Sequence, residues 1–129
     1  VKTVCIYPEN RHQGLPGLHS VFILFDATTG VPLALLDGNV ITSRRTAAAS
    51  ALAARCLSRP DARAMLVVGA GRVARLLPQA YQAVRPIETV TVWDIDTALA
   101  TQWVEQLAGE GFRAALASDL EAAVAAGLA

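Results

Sequence analysis

The run Met65-Leu66-Val67-Val68-Gly69-Ala70-Gly71-Arg72-Val73-Ala74 constrains this chain more than any other stretch. Its four leading apolar residues read as a short buried strand, and Gly69-x-Gly71-x-x-Ala74 opens a helix expected to reach about Val84. Each small residue has a physical purpose in such a turn. The first glycine permits the tight reversal, the second lets a pyrophosphate approach the backbone, and the third allows close helix–strand packing. The phosphate then sits at the helix N-terminus, where backbone amides lack partners. A GxGxxA triplet alone is a weak signal. Here a strand precedes it, a helix follows, and the next strand, Val90-Thr91-Val92-Trp93, ends in Asp94. That acid lies at about the 20-residue distance expected of a carboxylate that binds ribose hydroxyls. Gly69, Gly71 and Asp94 are therefore expected to bind a dinucleotide, with Asp96 an alternative acid better read as a solvated helix-start residue. An aspartate in this role favours NAD over NADP, because it repels a 2′-phosphate.

The alternation continues. Thr97 to Ala108 reads as a helix stopped by Gly109 and Gly111, and Phe112 to Leu116 as a third strand. Ser118 with Glu121 makes a capping box for a last, Ala-rich helix. Strands and helices in this order imply βαβ units and a parallel sheet, of which half is present. The first part of the chain differs. Residues 1–7 alternate, with Lys2, Val4 and Ile6 on one face, and 8–17 form a polar, Gly- and Pro-rich loop. Val21–Asp26 and Pro32–Asp37, joined through Ala27-Thr28-Thr29-Gly30, read as a β-hairpin. Thr42 or Ser43 then caps a helix to about Leu57, and Pro60 forbids its extension. The fold class is α/β, divided at residues 1–62 and 63–129. Opening directly in a strand and stopping after a short helix, the chain is expected to be an internal piece of a longer protein.

Composition narrows the function. Eleven basic side chains balance eleven acidic ones, which argues against a nucleic-acid binder with its basic excess. Apolar residues at 53% and charged ones at 17% argue against a disordered chain. No apolar run approaches the roughly 18 residues of a membrane helix, so a soluble, cytoplasmic domain without membrane contacts is expected. Cys5 and Cys56 have no metal-like spacing, the two histidines do not supply one, and both thiols read as buried and inert. No metal site is expected. Ten arginines stand against a single lysine, Lys2.

Several upstream features precede the nucleotide turn in one order. They are Lys2, Gly14-Leu15-Pro16, Asp26-Ala27-x-x-Gly30-x-Pro32-Leu33-Ala34 and Thr42-x-x-Arg45-Thr46-Ala47-Ala48. With these, the whole chain resembles the ornithine cyclodeaminase/mu-crystallin family. The resemblance implies a part of a substrate-binding and dimerisation β domain with a connecting helix at 1–62. It implies the N-terminal half of an NAD(P)-binding Rossmann domain at 63–129, and a homodimer for the full-length protein. Stretch 14–38, notably Leu35-Leu36-Asp37-Gly38, looks more like the cyclic ketimine reductase branch. That branch reduces a ring such as 1-pyrroline-2-carboxylate to a proline-type amino acid with NAD(H), NADP(H) being the alternative cofactor. Two other readings stay open: an NAD-dependent ornithine cyclodeaminase that forms proline and ammonia, and a crystallin-like nucleotide-binding protein without turnover. The substrate is accordingly a small cyclic imino acid or a basic amino acid. The 129-residue piece alone is expected to be inactive.

The resemblance also implies roles. Lys2 matches a substrate-contacting lysine that can donate a proton, and Arg45 an arginine that holds the substrate carboxylate beside the nicotinamide. Arg72 and Val73 match turn residues at the pyrophosphate, and Asp94 the ribose acid. Gly17 departs from the pattern, since many relatives carry Ser or Thr there with a hydroxyl that reaches the cofactor. The family's later catalytic aspartate falls beyond Ala129. The chemistry of the residues agrees. A planar guanidinium offers a carboxylate two parallel charge-assisted hydrogen bonds. A desolvated lysine suits protonation of an imine nitrogen.

Overall fold

The computed structural model describes residues 1–127, the Arg11 side chain excepted, so positions 128 and 129 of the expected nucleotide half lie outside the described residues. The chain divides into two compact units, Val1–Arg45 and Thr46–Ala129.

In the first unit β1 (Lys2–Ile6), β2 (Leu18–Phe25) and β3 (Pro32–Asp37) form an antiparallel sheet in the order β1-β2-β3. The hairpin turn is set by Asp26. One carboxylate oxygen accepts from the Thr29 amide at 2.7 Å, the Thr28 amide at 2.9 Å and the Thr29 hydroxyl at 2.9 Å. Gly30 supplies the left-handed backbone, at φ +73°. The stretch after β1, expected as loop, contains a 3-10 helix at Pro8–Gln13. Proline fits a first helical position, and the Asn10 amide donates to the Tyr7 carbonyl at 3.1 Å.

Helix α1 (Gly38–Leu57) starts earlier than expected. The Asp37 carboxylate accepts from the Asn39 amide at 2.7 Å and the Val40 amide at 3.2 Å, so Asp37 is the cap. Thr42 and Ser43, the expected caps, lie inside the helix, where their hydroxyls donate back to the Gly38 and Asn39 carbonyls at 2.6 and 3.0 Å. Gly38 is pressed on β2, since a Cβ there would stand 2.8 Å from the Ser20 carbonyl carbon. The Ser20 hydroxyl donates to Asn39 Oδ1 at 3.0 Å.

In the second unit β4 (Ala64–Val68), β5 (Thr89–Trp93) and β6 (Arg113–Leu116) are parallel, in the order β4-β5-β6. That is the 3-2-1 half of a doubly wound sheet. After the glycine turn a 3-10 turn (Ala74–Leu76) leads into the short helix α2 (Leu77–Gln82), where one continuous helix was expected. Pro78 explains the break: it has no amide to offer the Ala74 carbonyl, which takes the Leu77 amide instead. Helix α3 (Thr97–Gly109) is capped by Asp96, whose carboxylate accepts from Leu99, as expected of a helix-start residue. Helix α4 (Leu120–Gly127) is capped by Asp119 rather than Ser118, its carboxylate accepting from Ala122 at 2.8 Å.

The core joins Val90 and Val92 of β5 to Trp103 and Leu107 of α3, with Val67 and Phe112 beside them. The C-terminus of α1 is tied by Arg85. Its guanidinium donates to the carbonyls of Ala54, Arg55 and Ser58 at 3.1, 2.6 and 3.0 Å; the Ala54 carbonyl also accepts from the Ser58 amide and hydroxyl at 2.9 and 2.7 Å. Both thiols are exposed, contrary to expectation. Cys5 lies on a strand exposed along its length, and Cys56 on an exposed face of the last turn of α1. No described helix is long and apolar enough to cross a membrane.

Candidate functional site

The glycine turn begins at the end of β4. Gly69 has φ +102°, a conformation that side chains disfavour, and its amide donates to the Trp93 carbonyl at 2.7 Å. Asp94, at the end of β5, reaches back across the turn. One carboxylate oxygen accepts from the Asp96 amide at 2.8 Å and the other from the Ala70 amide at 2.6 Å. These bonds favour the charged form and hold its carboxyl below the usual carboxylate value, with Asp96 contributing most. On the other side Arg75 Nε donates to the Ala70 carbonyl at 3.1 Å. Both polar groups of the Ala70 backbone are therefore taken by side chains.

The following amides are not. Those of Gly71, Arg72 and Val73 donate to no acceptor among the described residues. Gly71 lacks a positive φ, and a Cβ built there would meet nothing within 4 Å. The chain itself does not require glycine at this position, whereas a ligand lying against the backbone would. Three unpaired donors beside an open approach fit a pyrophosphate. Arg72 is exposed and Val73 half-buried, while the small Ala74 is packed against the core. The fit to a dinucleotide thus rests on the backbone donors, with Asp94 at the end of the neighbouring strand.

Lys2 and Arg45 belong to the first unit. Lys2, on β1, donates from Nζ to the Thr42 hydroxyl. Arg45 lies one turn further along α1 from Thr42, and residues three apart share a helix face. The strand lysine is thereby tied to the helix face that carries the arginine. Both side chains are exposed, so residues 1–127 do not supply the desolvation expected around the proton donor. Gly69, Gly71, Arg72, Val73 and Asp94 belong to the second unit. Among the described residues no group of His, Cys, Asp and Glu side chains could hold a metal ion.

Arg75 was not singled out from the sequence. Besides the Ala70 carbonyl it reaches Gln106 Oε1 at 2.8 Å, and its guanidinium lies 6.0 Å from the Trp103 ring centroid. The arginine and its two partners on α3 are far apart in sequence, and no motif spacing links them.

Known proteins resemble this chain in sequence and fold. Delta(1)-pyrroline-2-carboxylate reductase of Paracoccus denitrificans is 42% identical over 124 residues, covering 95% of this chain and 39% of the relative. Ornithine cyclodeaminase of Agrobacterium tumefaciens is 36% identical over 106 residues, covering 82% and 30%. The solved structure of Thermococcus litoralis Delta(1)-pyrroline-2-carboxylate reductase, in complex with NADH and L-proline, superposes with a TM-score of 0.84. It is 38% identical and covers 92% of this chain and 37% of that one. The chain therefore spans between 30% and 39% of the length of these proteins. The family model for ornithine cyclodeaminase and mu-crystallin matches residues 1–127, and the chain belongs to the ornithine cyclodeaminase/mu-crystallin family.

Proposed function

We propose that this chain forms part of an NAD(H)-dependent cyclic ketimine reductase, acting on a ring such as 1-pyrroline-2-carboxylate to give a proline-type amino acid. The observation that carries the reading is the trio of unpaired amides at Gly71, Arg72 and Val73, above an open glycine and beside Asp94. The likeness to two pyrroline-2-carboxylate reductases supports the substrate class. Gly69, Gly71, Arg72 and Val73 would hold the pyrophosphate, Asp94 the ribose, and Arg45 the nicotinamide end. When bound, the reduced nicotinamide supplies a hydride to the imine carbon. Arg45 clamps the substrate carboxylate through its planar fork. Lys2 gives a proton to the imine nitrogen, which balances the hydride and yields the neutral secondary amine.

In this reading residues 1–62 serve the substrate and dimerisation domain and 63–129 the first nucleotide half. Leu33 and Leu35 of β3, with Val21 on the same face of β2, are 59%, 72% and 44% exposed, apolar surface that suits a homodimer contact. The soluble, cytoplasmic location is part of the same proposal.

A second reading, ornithine cyclodeaminase, is favoured by the Agrobacterium relative. The full-length protein separates the two. Ketimine-dependent NADH oxidation without ammonia release from ornithine supports the reductase, and the reverse supports the cyclodeaminase. Tight NADH binding with neither reaction points to a crystallin-like role and overturns both.

A further inference from the structure

We propose that Arg75 is a positioning residue that presets the nucleotide turn by holding the Ala70 carbonyl. The inference deepens the nucleotide reading of that turn and rests on it. Nε donates to the Ala70 carbonyl at 3.1 Å, and the Arg75 amide donates to the Gly71 carbonyl at 3.1 Å. Two successive carbonyls of the turn thus end on one residue. No described peptide bond is cis. In a planar trans peptide the carbonyl and the following amide point in opposite directions. Tethering the Ala70 carbonyl toward Arg75 therefore directs the Gly71 amide away from it, and that amide is the first of the three unpaired donors.

The guanidinium is well placed to act as a fixed point. It lies 6.0 Å from the ring centroid of Trp103, a core residue 2% exposed, and Nη1 is held by Gln106 Oε1 at 2.8 Å. Asp94 holds the Ala70 amide from the opposite side at 2.6 Å. An acid and a base thereby bracket one residue, and neither peptide of the turn can rotate freely. A turn fixed before binding loses less freedom on binding, which raises affinity without a new ligand contact. Arg75 need not touch the nucleotide.

The test uses the full-length protein, with NADH binding followed by fluorescence and backbone hydrogen exchange measured over residues 69–73. Arg75→Met keeps the stem and removes the donors. It should raise the Kd for NADH about tenfold, as expected for loss of a charge-assisted bond, and should speed exchange of the turn amides without nucleotide. KM for NADH should rise while kcat at saturating NADH stays unchanged. Arg75→Lys retains one donor and should recover part of the affinity. If Arg75→Met fails to fold, Gln106→Ala, at an exposed position, frees Nη1 and should raise the Kd about twofold to threefold. Wild-type exchange rates and Kd in these variants would overturn the clamp. Failure of the wild-type protein to bind NADH would instead overturn the nucleotide reading, and the exchange rates would still decide the clamp.

Discussion

Asp94 accepts a 2.6 Å hydrogen bond from the amide of Ala70, so the acid expected to hold ribose also holds the glycine turn. The two duties separate by substitution. Asp94→Ser removes the repulsion toward a 2′-phosphate and releases the turn. In the full-length protein, if it is the proposed reductase, it should lower kcat/KM for NADH and raise the NADPH-to-NADH ratio. A wild-type enzyme that strongly prefers NADPH would show that Asp94 does not set the choice.

The same carboxylate predicts a pH dependence. Its bonds to the Asp96 and Ala70 amides are made to the charged form, so the folded carboxyl titrates below its ordinary value of 3.8. A depressed folded pKa contributes stability that is fully present above the ordinary value and disappears as pH falls through the folded one. The stability difference between wild type and Asp94→Asn should therefore be constant near neutrality and shrink below pH 3.8. Denaturant unfolding across that range measures it. Asp26, whose carboxyl is lowered mainly by the Thr29 amide, should behave alike.

Two glycines should respond oppositely to alanine. At Gly38 the new Cβ would stand 2.5 Å from the Ser20 hydroxyl and 2.8 and 2.9 Å from its backbone carbonyl carbon and oxygen. The backbone cannot swing aside, so Gly38→Ala should cost about 1–3 kcal/mol, read as a lowered Tm. At Gly71 the methyl meets no protein atom within 4 Å. Gly71→Ala should leave Tm unchanged and weaken NADH binding. Loss of stability without loss of affinity at Gly71 would remove the reason for placing a pyrophosphate there.

The parallel half of the fold was legible because its signals are local and mutually consistent. Val67 and Val68 run into a glycine that needs a positive φ, and Val92 and Trp93 run into an acid. Helix starts were less legible. Asp37 and Asp119 each lie one position before a helix and take the capping role that Thr42 or Ser43 and Ser118 were expected to fill. Hydroxyls and carboxylates are comparable caps, so composition alone does not choose between neighbours. The break at Pro78 follows from a rule that operates four residues upstream, on the Ala74 carbonyl. Arg75 was hidden for another reason. Its partners Trp103 and Gln106 come from α3, and packing between elements leaves no spacing in the sequence.

Arg85 should matter for stability and not for binding. It donates to three carbonyls at the end of α1 and, through Nε, to the Ser58 hydroxyl at 3.0 Å. Arg85→Met leaves the Arg55 and Ser58 carbonyls to water, and with partial exposure the loss should be about 1–2 kcal/mol. Thermal unfolding should register it while the Kd for NADH stays at the wild-type value.

The clamp assignment rests on Arg45. Lys2 is tied to Thr42, and Arg45 follows one turn later on the same helix face. The residues proposed as proton donor and carboxylate holder are thereby carried by one unit. Arg45→Lys keeps the charge and loses the fork, and planar bidentate recognition is where the two residues are not interchangeable. A lost charge-assisted contact is worth about 1.5–3 kcal/mol, so kcat/KM for the cyclic imino acid should fall roughly tenfold to a hundredfold in the full-length enzyme. Arg44 is equally exposed but turned about 100° around the helix. Arg44→Lys should therefore change little. Equal effects of the two substitutions, or intact efficiency in Arg45→Lys, would remove Arg45 from the substrate site.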